Sequence, residues 1–227
     1  MTIDIGADAI ESRPALDATL PSTHYPRVIV RRNLRGKFIL DRIVAALILV
    51  ALLPLLLIIA LAIKLDSRGP VFFRQVRVGR NGRPFRMWKF RSMVVNAESA
   101  RPATSDTDGV LFKRRRDPRV TRAGRVLRKL SLDELPQLIN VLGCEMSLVG
   151  PRPALPDEVD QYPPEMRRRL LVKPGITGLW QVSGRSDLSW DDTVRLDTHY
   201  VEHLSLWMDL KILALTPAAV VGRRGAY

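Results

Sequence analysis

Cysteine is nearly absent: Cys144 is the only one in 227 residues. No internal disulfide can form, and no metal site built on two thiolates is available. A lone thiol fits a reducing, cytosolic environment. Histidine is scarce too. His24, His199 and His203 make neither an H-E-x-x-H helix nor a zinc-finger spacing, and the i, i+4 pair His199–His203 reads as a helix-surface pair. The chain opens Met-Thr-Ile-Asp with Asp8, Glu11 and Asp17 close behind, so the basic start and early apolar run of a secretory signal are missing. Acidic charge falls short of basic, 23 Asp and Glu against 36 Lys and Arg, leaving a net charge of +13. That excess calls for an anionic partner, and charge alone leaves nucleic acid, phosphorylated substrates and acidic headgroups open. No internal repeat is visible, and the length suits one modest domain plus a membrane element.

One long stretch contains no charge at all. From Ile43 to Ile63 every side chain is apolar, and at ~1.5 Å per helical residue the run reaches roughly 31 Å, about the thickness of a hydrocarbon core. Pro54 interrupts it, which favours a kink. Basic residues flank both ends: Arg27, Arg31, Arg32, Arg35, Lys37 and Arg42 before it, Lys64, Arg68, Arg74, Arg77 and Arg80 after it. Positive charge favours the cytoplasmic side, so a kinked helix entering and leaving by one leaflet satisfies both flanks. Ahead of it, residues 1–35 carry three prolines and no periodicity and read as a mobile tail.

Downstream, Val71–Val78 reads as a strand, Asn81-Gly82 as a tight turn and Pro84–Arg91 as the returning strand. Residues 99–110 read as a loop. Lys113–Arg116 and then Arg119, Arg122, Arg125 and Arg128 form a basic stripe, either a solvated helix face or part of a binding site. Ser189-Trp190-Asp191-Asp192 resembles a helix start. The segment with Leu206, Trp207, Leu210, Leu213 and Leu215 suits an interfacial helix and ordinary core packing equally.

The densest chemistry lies in Ser131-Leu132-Asp133-Glu134-Leu135-Pro136-Gln137-Leu138. Ser-x-x-Glu is the capping-box pattern, and spacing alone favours a cap, although Pro136 sits awkwardly in a helix begun at Ser131. The other reading is chemical. Of two adjacent acids, one can attack phosphorus while the other holds a divalent cation against a diphosphate. Exposed amides and Arg128 would gather phosphate oxygens.

The ordered segments Gly69-Pro70-Val71-Phe72-Phe73-Arg74-Gln75, Trp88-Lys89-Phe90-Arg91-Ser92-Met93, Ser131 to Leu138, Met146-Ser147-Leu148-Val149-Gly150-Pro151-Arg152-Pro153 and Lys173-Pro174-Gly175-Ile176-Thr177-Gly178-Leu179-Trp180-Gln181-Val182, with Ser183-Gly184-Arg185, carry a resemblance. From about residue 36 onward the chain resembles the bacterial sugar transferases, monotopic phosphoglycosyl transferases that start exopolysaccharide and O-antigen assembly. The resemblance implies an α+β, mainly helical fold. A re-entrant membrane helix over 36–66 would precede a catalytic domain over 67–227, with a short β-hairpin and interfacial amphipathic helices, at the cytoplasmic face of a bacterial membrane. It implies Asp133 as nucleophile, forming a sugar-phosphate ester and releasing UMP, and Glu134 as the Mg²⁺ ligand. Arg128 and Arg152 match phosphate-binding arginines, and Lys89 and Arg185 match basic motif positions at the substrate. The implied partners are a UDP-sugar (a UDP-hexose by analogy with short relatives), polyprenyl phosphate and membrane lipids. Leu130, Cys144 and Glu145 depart from the family pattern, which commonly has a small hydroxyl residue and then Gly-Asp at these places. The extra membrane helices and middle domain of longer relatives are not expected here. Two other classes compete: a non-catalytic anchor on anionic lipid, which leaves the Asp-Glu pair unexplained, and a nucleic-acid binder, for which no reader motif is present.

Overall fold

A computed structural model describes residues 34–97, 117–184 and 188–221. The expected N-terminal tail lies almost wholly outside these residues, as do the loop at 99–110, the basic run Lys113–Arg116 and Arg185. The described fold is mainly helical, with two small two-stranded sheets.

The apolar run forms two helices, α1 (Arg35–Ala51) and α2 (Leu53–Asp66), bent by 63°. Pro54 sits in the first turn of α2, where its missing N–H breaks no bond. The proline therefore ends one helix and opens the next instead of straining a single one. No single described helix is long and apolar enough to cross a membrane; the bent pair passes that test by length and composition. Only a narrow stripe of α1 faces the protein: Lys37, Asp41 and Ala45, one turn apart. Leu47, Val50, Leu57, Leu61 and Leu65 are each 60% exposed or more, far too much apolar surface for water to favour.

Lys37, counted among the basic residues before the apolar run, does not face outward. It is buried, its Nζ 3.1 Å from Asp41 and 2.8 Å from Asp209. Asp41 also accepts from Ser147 Oγ at 2.5 Å, and Tyr200 Oη lies 2.7 Å from Asp209 and 3.0 Å from the Val149 carbonyl. These polar groups pin α1 to the rest of the chain. Around them packs the largest core, which joins Ala45 to Phe85, Met87, Val141, Met146, Val149, Tyr200 and Ile212.

The expected hairpin is present. β1 (Phe72–Val78) pairs antiparallel with β2 (Pro84–Phe90), in a register that sets Phe73 opposite Lys89 and Arg77 opposite Phe85. Asn81 and Gly82 take positive φ at the turn, the conformation that favours Asn-Gly there. Arg91 then closes the end of α2, donating to the carbonyls of Ser67 at 2.7 Å and Arg68 at 2.6 Å.

Next come α3 (Arg122–Lys129), capped by Thr121, and α4 (Gln137–Leu142). The basic stripe does not share one helix: Arg119 precedes α3 and pairs with Asp117, Arg122 and Arg125 are exposed, and Arg128 is half-buried. Asn140 of α4 accepts from the Trp88 amide at 2.9 Å and donates to the Arg86 carbonyl at 2.8 Å, clipping α4 to β2. After α4 the chain reverses through Cys144, which sits at φ 62°, just past the cap residue Gly143. Glycine is the residue that helix ends favour at this position, so Cys144 carries a side chain on a left-handed backbone. Cys144→Gly is expected to stabilise the protein by about 0.5–1 kcal/mol, a left-handed residue's strain less the extra unfolded-state freedom of glycine. A thermal-unfolding midpoint at or below that of the parent chain would contradict this.

The motif segments around Gly150-Pro151 and Pro174-Gly175 hold a second sheet. β3 (Ser147–Val149) and β4 (Gly175–Thr177) pair in parallel. A Cβ on Gly175 would lie 2.1 Å from the Gly150 nitrogen, so the loops meet only because both residues lack side chains. Between the strands run α5 (Pro156–Asp160) and a 3-10 segment, Pro164–Leu171, packed around Tyr162 and Val159. Beyond them follow α6 (Leu179–Ser183), α7 (Trp190–His203) and α8 (Leu206–Val221). Ser189 caps α7 as expected, accepting from the Asp192 amide. His199 and His203 stack on its exposed side, ring centroids 4.2 Å apart. Helix α8 buries Asp209 and Ile212 in the core and leaves Leu206, Trp207, Leu210 and Leu215 exposed.

Candidate active site

Ser131 does not cap a helix. Its φ is 54°, in the left-handed region, and its side chain makes no capping bond. Asp133 and Glu134 occupy a single 3-10 turn, Leu132–Glu134, and α4 begins only at Gln137, with Pro136 before it. Pro136 explains the failure of the cap, because it cannot donate a helical bond and instead marks where the helix starts. The turn holds the two acids side by side against β2.

Glu134 Oε1 accepts from Lys89 Nζ at 2.8 Å. Burial raises the Glu134 carboxyl's pKa, but Lys89, Arg152 and Arg77 outweigh it and hold the group below the usual carboxylate range. Asp133 is only 8% exposed. Burial pushes its carboxyl up, partly offset by Lys89 and Arg128. Two adjacent acids are thus driven apart, one held ionised by a cation and the other made more basic by desolvation.

The cleft beside them, about 130 Å³, is lined by Lys89, Glu134, Gln137, Arg77, Arg152 and Trp180, among others. Arg152 is steered by Glu158, its Nη1 3.0 Å from Oε2. The same Glu158 oxygen also accepts from the Leu155 amide at 2.9 Å. The structure therefore brings together Lys89, Glu134 and Arg152 in the cleft. Asp133, the neighbour of Glu134 in the same 3-10 turn, is outside the lining. Arg128 lies outside the lining too, near enough for its charge to act on Asp133.

Residues 32–223 match the sequence profile of the bacterial sugar transferases. The chain belongs to this family. Among its relatives, a "UDP-galactose-lipid carrier transferase" of Erwinia amylovora is 46% identical over 194 residues, covering 82% of this chain and 40% of the relative. "Exopolysaccharide production protein ExoY" of Sinorhizobium fredii is 44% identical over 194 residues, 82% of this chain and 86% of the relative. An "undecaprenyl-phosphate glucose phosphotransferase" of Komagataeibacter xylinus is 47% identical over 198 residues, 82% of this chain and 36% of the relative. The chain thus spans about two fifths of the longer relatives and most of the ExoY protein.

For this bacterial sugar transferase, sequence reading missed Arg77, Gln137 and Trp180 as cleft residues. Arg77 was within reach. The Asn81-Gly82 turn sets the hairpin register, and alternation then puts Arg77 on the same face as Lys89. Gln137 and Trp180 lay in motif segments but carried no chemical signal of their own. For a cation, the described residues offer no cluster of three His, Cys, Asp or Glu side chains. They offer hard oxygen donors, Glu134 and its neighbour Asp133. That is a poor cage for a metal held by protein alone, but it fits Mg²⁺, which keeps its waters and takes one or two carboxylates plus substrate phosphates.

Proposed function

We propose that this protein transfers a hexose 1-phosphate from a UDP-hexose to polyprenyl phosphate, releasing UMP, through a covalent sugar-phosphate ester on Asp133. The observation that carries the reading is a buried Asp133 next to a Glu134 bonded to Lys89, beside a cleft rich in cations. The names of the Erwinia and Komagataeibacter relatives support the substrate classes. The cleft is far smaller than the ~300–1,000 Å³ that encloses a drug-sized ligand, so it suits the diphosphate, with sugar and nucleoside lying outside it.

In this scheme Lys89 and Arg152 neutralise the diphosphate oxygens so that a carboxylate can approach them. Asp133, raised in basicity by burial, supplies the attacking oxygen. Glu134 would hold Mg²⁺, which would supply charge neutralisation on the diphosphate when bound. Arg128 stabilises the Asp133 side of the site, and Arg185, outside the described residues, matches the motif position assigned to substrate. Chelation is expected to stop turnover, and Glu134→Gln to slow it by ~10²-fold or more, the scale of losing one well-placed electrostatic group. Unchanged rates in excess chelator would remove the metal from the scheme.

The membrane provides the setting. Helices α1 and α2 enter and leave the cytoplasmic leaflet as a re-entrant pair, while the apolar side of α8 and the Val126 side of α3 rest on the interface. Single cysteines at Arg35 and Arg68, in a Cys144→Ser background, are expected to resist an impermeant thiol reagent in intact cells; labelling of either from outside would restore a simple span. Activity itself is tested by UMP release from detergent-solubilised protein with undecaprenyl phosphate and a panel of UDP-sugars. No release with any of them would sink the proposal.

A further inference from the structure

Arg77 is the cation lining the cleft that the scheme above leaves without a task. It is 8% exposed. Its Nη1 donates to the Pro153 carbonyl at 3.1 Å and its Nη2 to Gln75 Oε1 at 2.6 Å, while Nε has no partner. Among the described residues no carboxylate lies within ion-pair distance of it: Glu134 is taken by Lys89, and Glu158 by Arg152 and the Leu155 amide. Burial and the neighbouring Arg152 lower its pKa to about 10, which leaves it charged at neutral pH. A desolvated guanidinium hydrogen-bonded by neutral groups, beside a second arginine and with Glu158 and Glu134 acting on it only from beyond ion-pair distance, is costly until an anion arrives. The fold holds it in place on a β-strand, with two bonds setting the plane of its fork.

Which anion it meets follows from the chemistry of double displacement, and so rests on the proposed Asp133 ester. In the first half-reaction a carboxylate oxygen of Asp133 bonds to the phosphorus bearing the sugar. The bond from that phosphorus to the bridging oxygen breaks, and the electron pair leaves with UMP. In the second, an oxygen of polyprenyl phosphate bonds to the same phosphorus and the Asp133 oxygen leaves with its electrons. One phosphate monoester dianion departs and another arrives, so no proton or redox partner is needed. In-line displacement places the leaving phosphate opposite Asp133, and the incoming phosphate must attack from that same side. A single subsite therefore serves UMP on its way out and the lipid phosphate on its way in. Arg77 and Lys89 are on one face of the hairpin, separated by four positions along the strands, roughly 13 Å at ~3.4 Å per residue. Lys89 is bonded to Glu134 of the acid pair, and Arg77 lines the same cleft with no carboxylate at ion-pair distance among the described residues.

We propose that Arg77 is the anchoring cation of this shared phosphate-monoester subsite, and so binds the phosphates of both UMP and polyprenyl phosphate. The test uses the full chain in detergent, with Arg77→Gln and Arg77→Lys. Two constants are measured for each: Ki for UMP as product inhibitor and KM for undecaprenyl phosphate. Arg77→Gln is expected to raise both in parallel by about 10–100-fold, the loss of one charge-assisted bond. Arg77→Lys, which keeps the charge but loses the fork, should raise both by less. A merely structural role would lower the melting temperature and kcat without moving the two constants together. Movement of one constant alone, or of neither, overturns the proposal. If Arg77→Gln does not fold, the Arg77→Lys pair of constants decides by the same criterion. Parent protein that forms no adduct with UDP-sugar alone would instead sink the double displacement, and the shared subsite with it. An adduct combined with unmoved constants sinks only the role of Arg77.

Discussion

Asp133→Asn is expected to leave the protein folded and to reduce turnover by on the order of 10⁴-fold or more, the scale of removing a covalent nucleophile. The substitution is nearly isosteric at a site 8% exposed. Burial already works against the charged form of Asp133, so a neutral amide relieves desolvation and disturbs little packing. Asp133 is not a helix cap, since its turn is a lone 3-10 element and α4 starts after Pro136. A capping loss of ~1 kcal/mol therefore does not arise. What the amide cannot do is attack phosphorus. A folded variant retaining substantial rate, measured with undecaprenyl phosphate and the preferred UDP-sugar, would show that another group is the nucleophile.

Lys37→Met should do the opposite, leaving the chemistry distant and the fold weakened. The methionine roughly keeps the volume but strands Asp41 and Asp209 in a buried site where both depended on one ammonium. Breaking a buried ion pair from one side costs about 3–5 kcal/mol, which in a chain of this size lowers the melting midpoint by on the order of 10 °C. Burial already raises the Asp209 carboxyl's pKa, with Lys37 holding it down. Adding Asp209→Asn to Lys37→Met removes one orphaned charge and should recover part of the loss. Thermal unfolding in detergent reads all three proteins. A Lys37→Met midpoint within 2 °C of the parent, against the drop expected from that loss, would mean that the network does not fasten α1 to the domain.

These two residues show what the sequence disclosed and what it withheld. Lys89, Glu134 and Arg152 were named from motif segments that carry the resemblance, and the fold places these three at one cleft, with Asp133 outside its lining. The hairpin was legible because Asn-Gly states its own turn. The bend at Pro54 was legible as well, though as a kink instead of a clean boundary between helices. The burial of Lys37 was not legible, because a lysine before an apolar run reads simply as one of its flanking charges. Only the tertiary position of Asp209, far along the chain, shows that it is buried. The β3–β4 pair was missed for another reason. Strands of three residues with glycine at the ends have no alternation to detect, and their pairing is set by the backbone contact between Gly150 and Gly175. The capping box at Ser131 was a false local signal, overridden by Pro136.

The most direct test is to incubate the purified protein with UDP-sugar and Mg²⁺ in the absence of lipid acceptor, and to measure its intact mass and peptide map. The expected result is protein heavier by one sugar phosphate, with the added mass on the peptide containing Asp133, stoichiometric UMP release, and discharge of the adduct when undecaprenyl phosphate is added. Unmodified protein and no UMP until the acceptor is present, with intersecting initial-rate lines, would contradict it. That outcome would mean that polyprenyl phosphate attacks the donor directly.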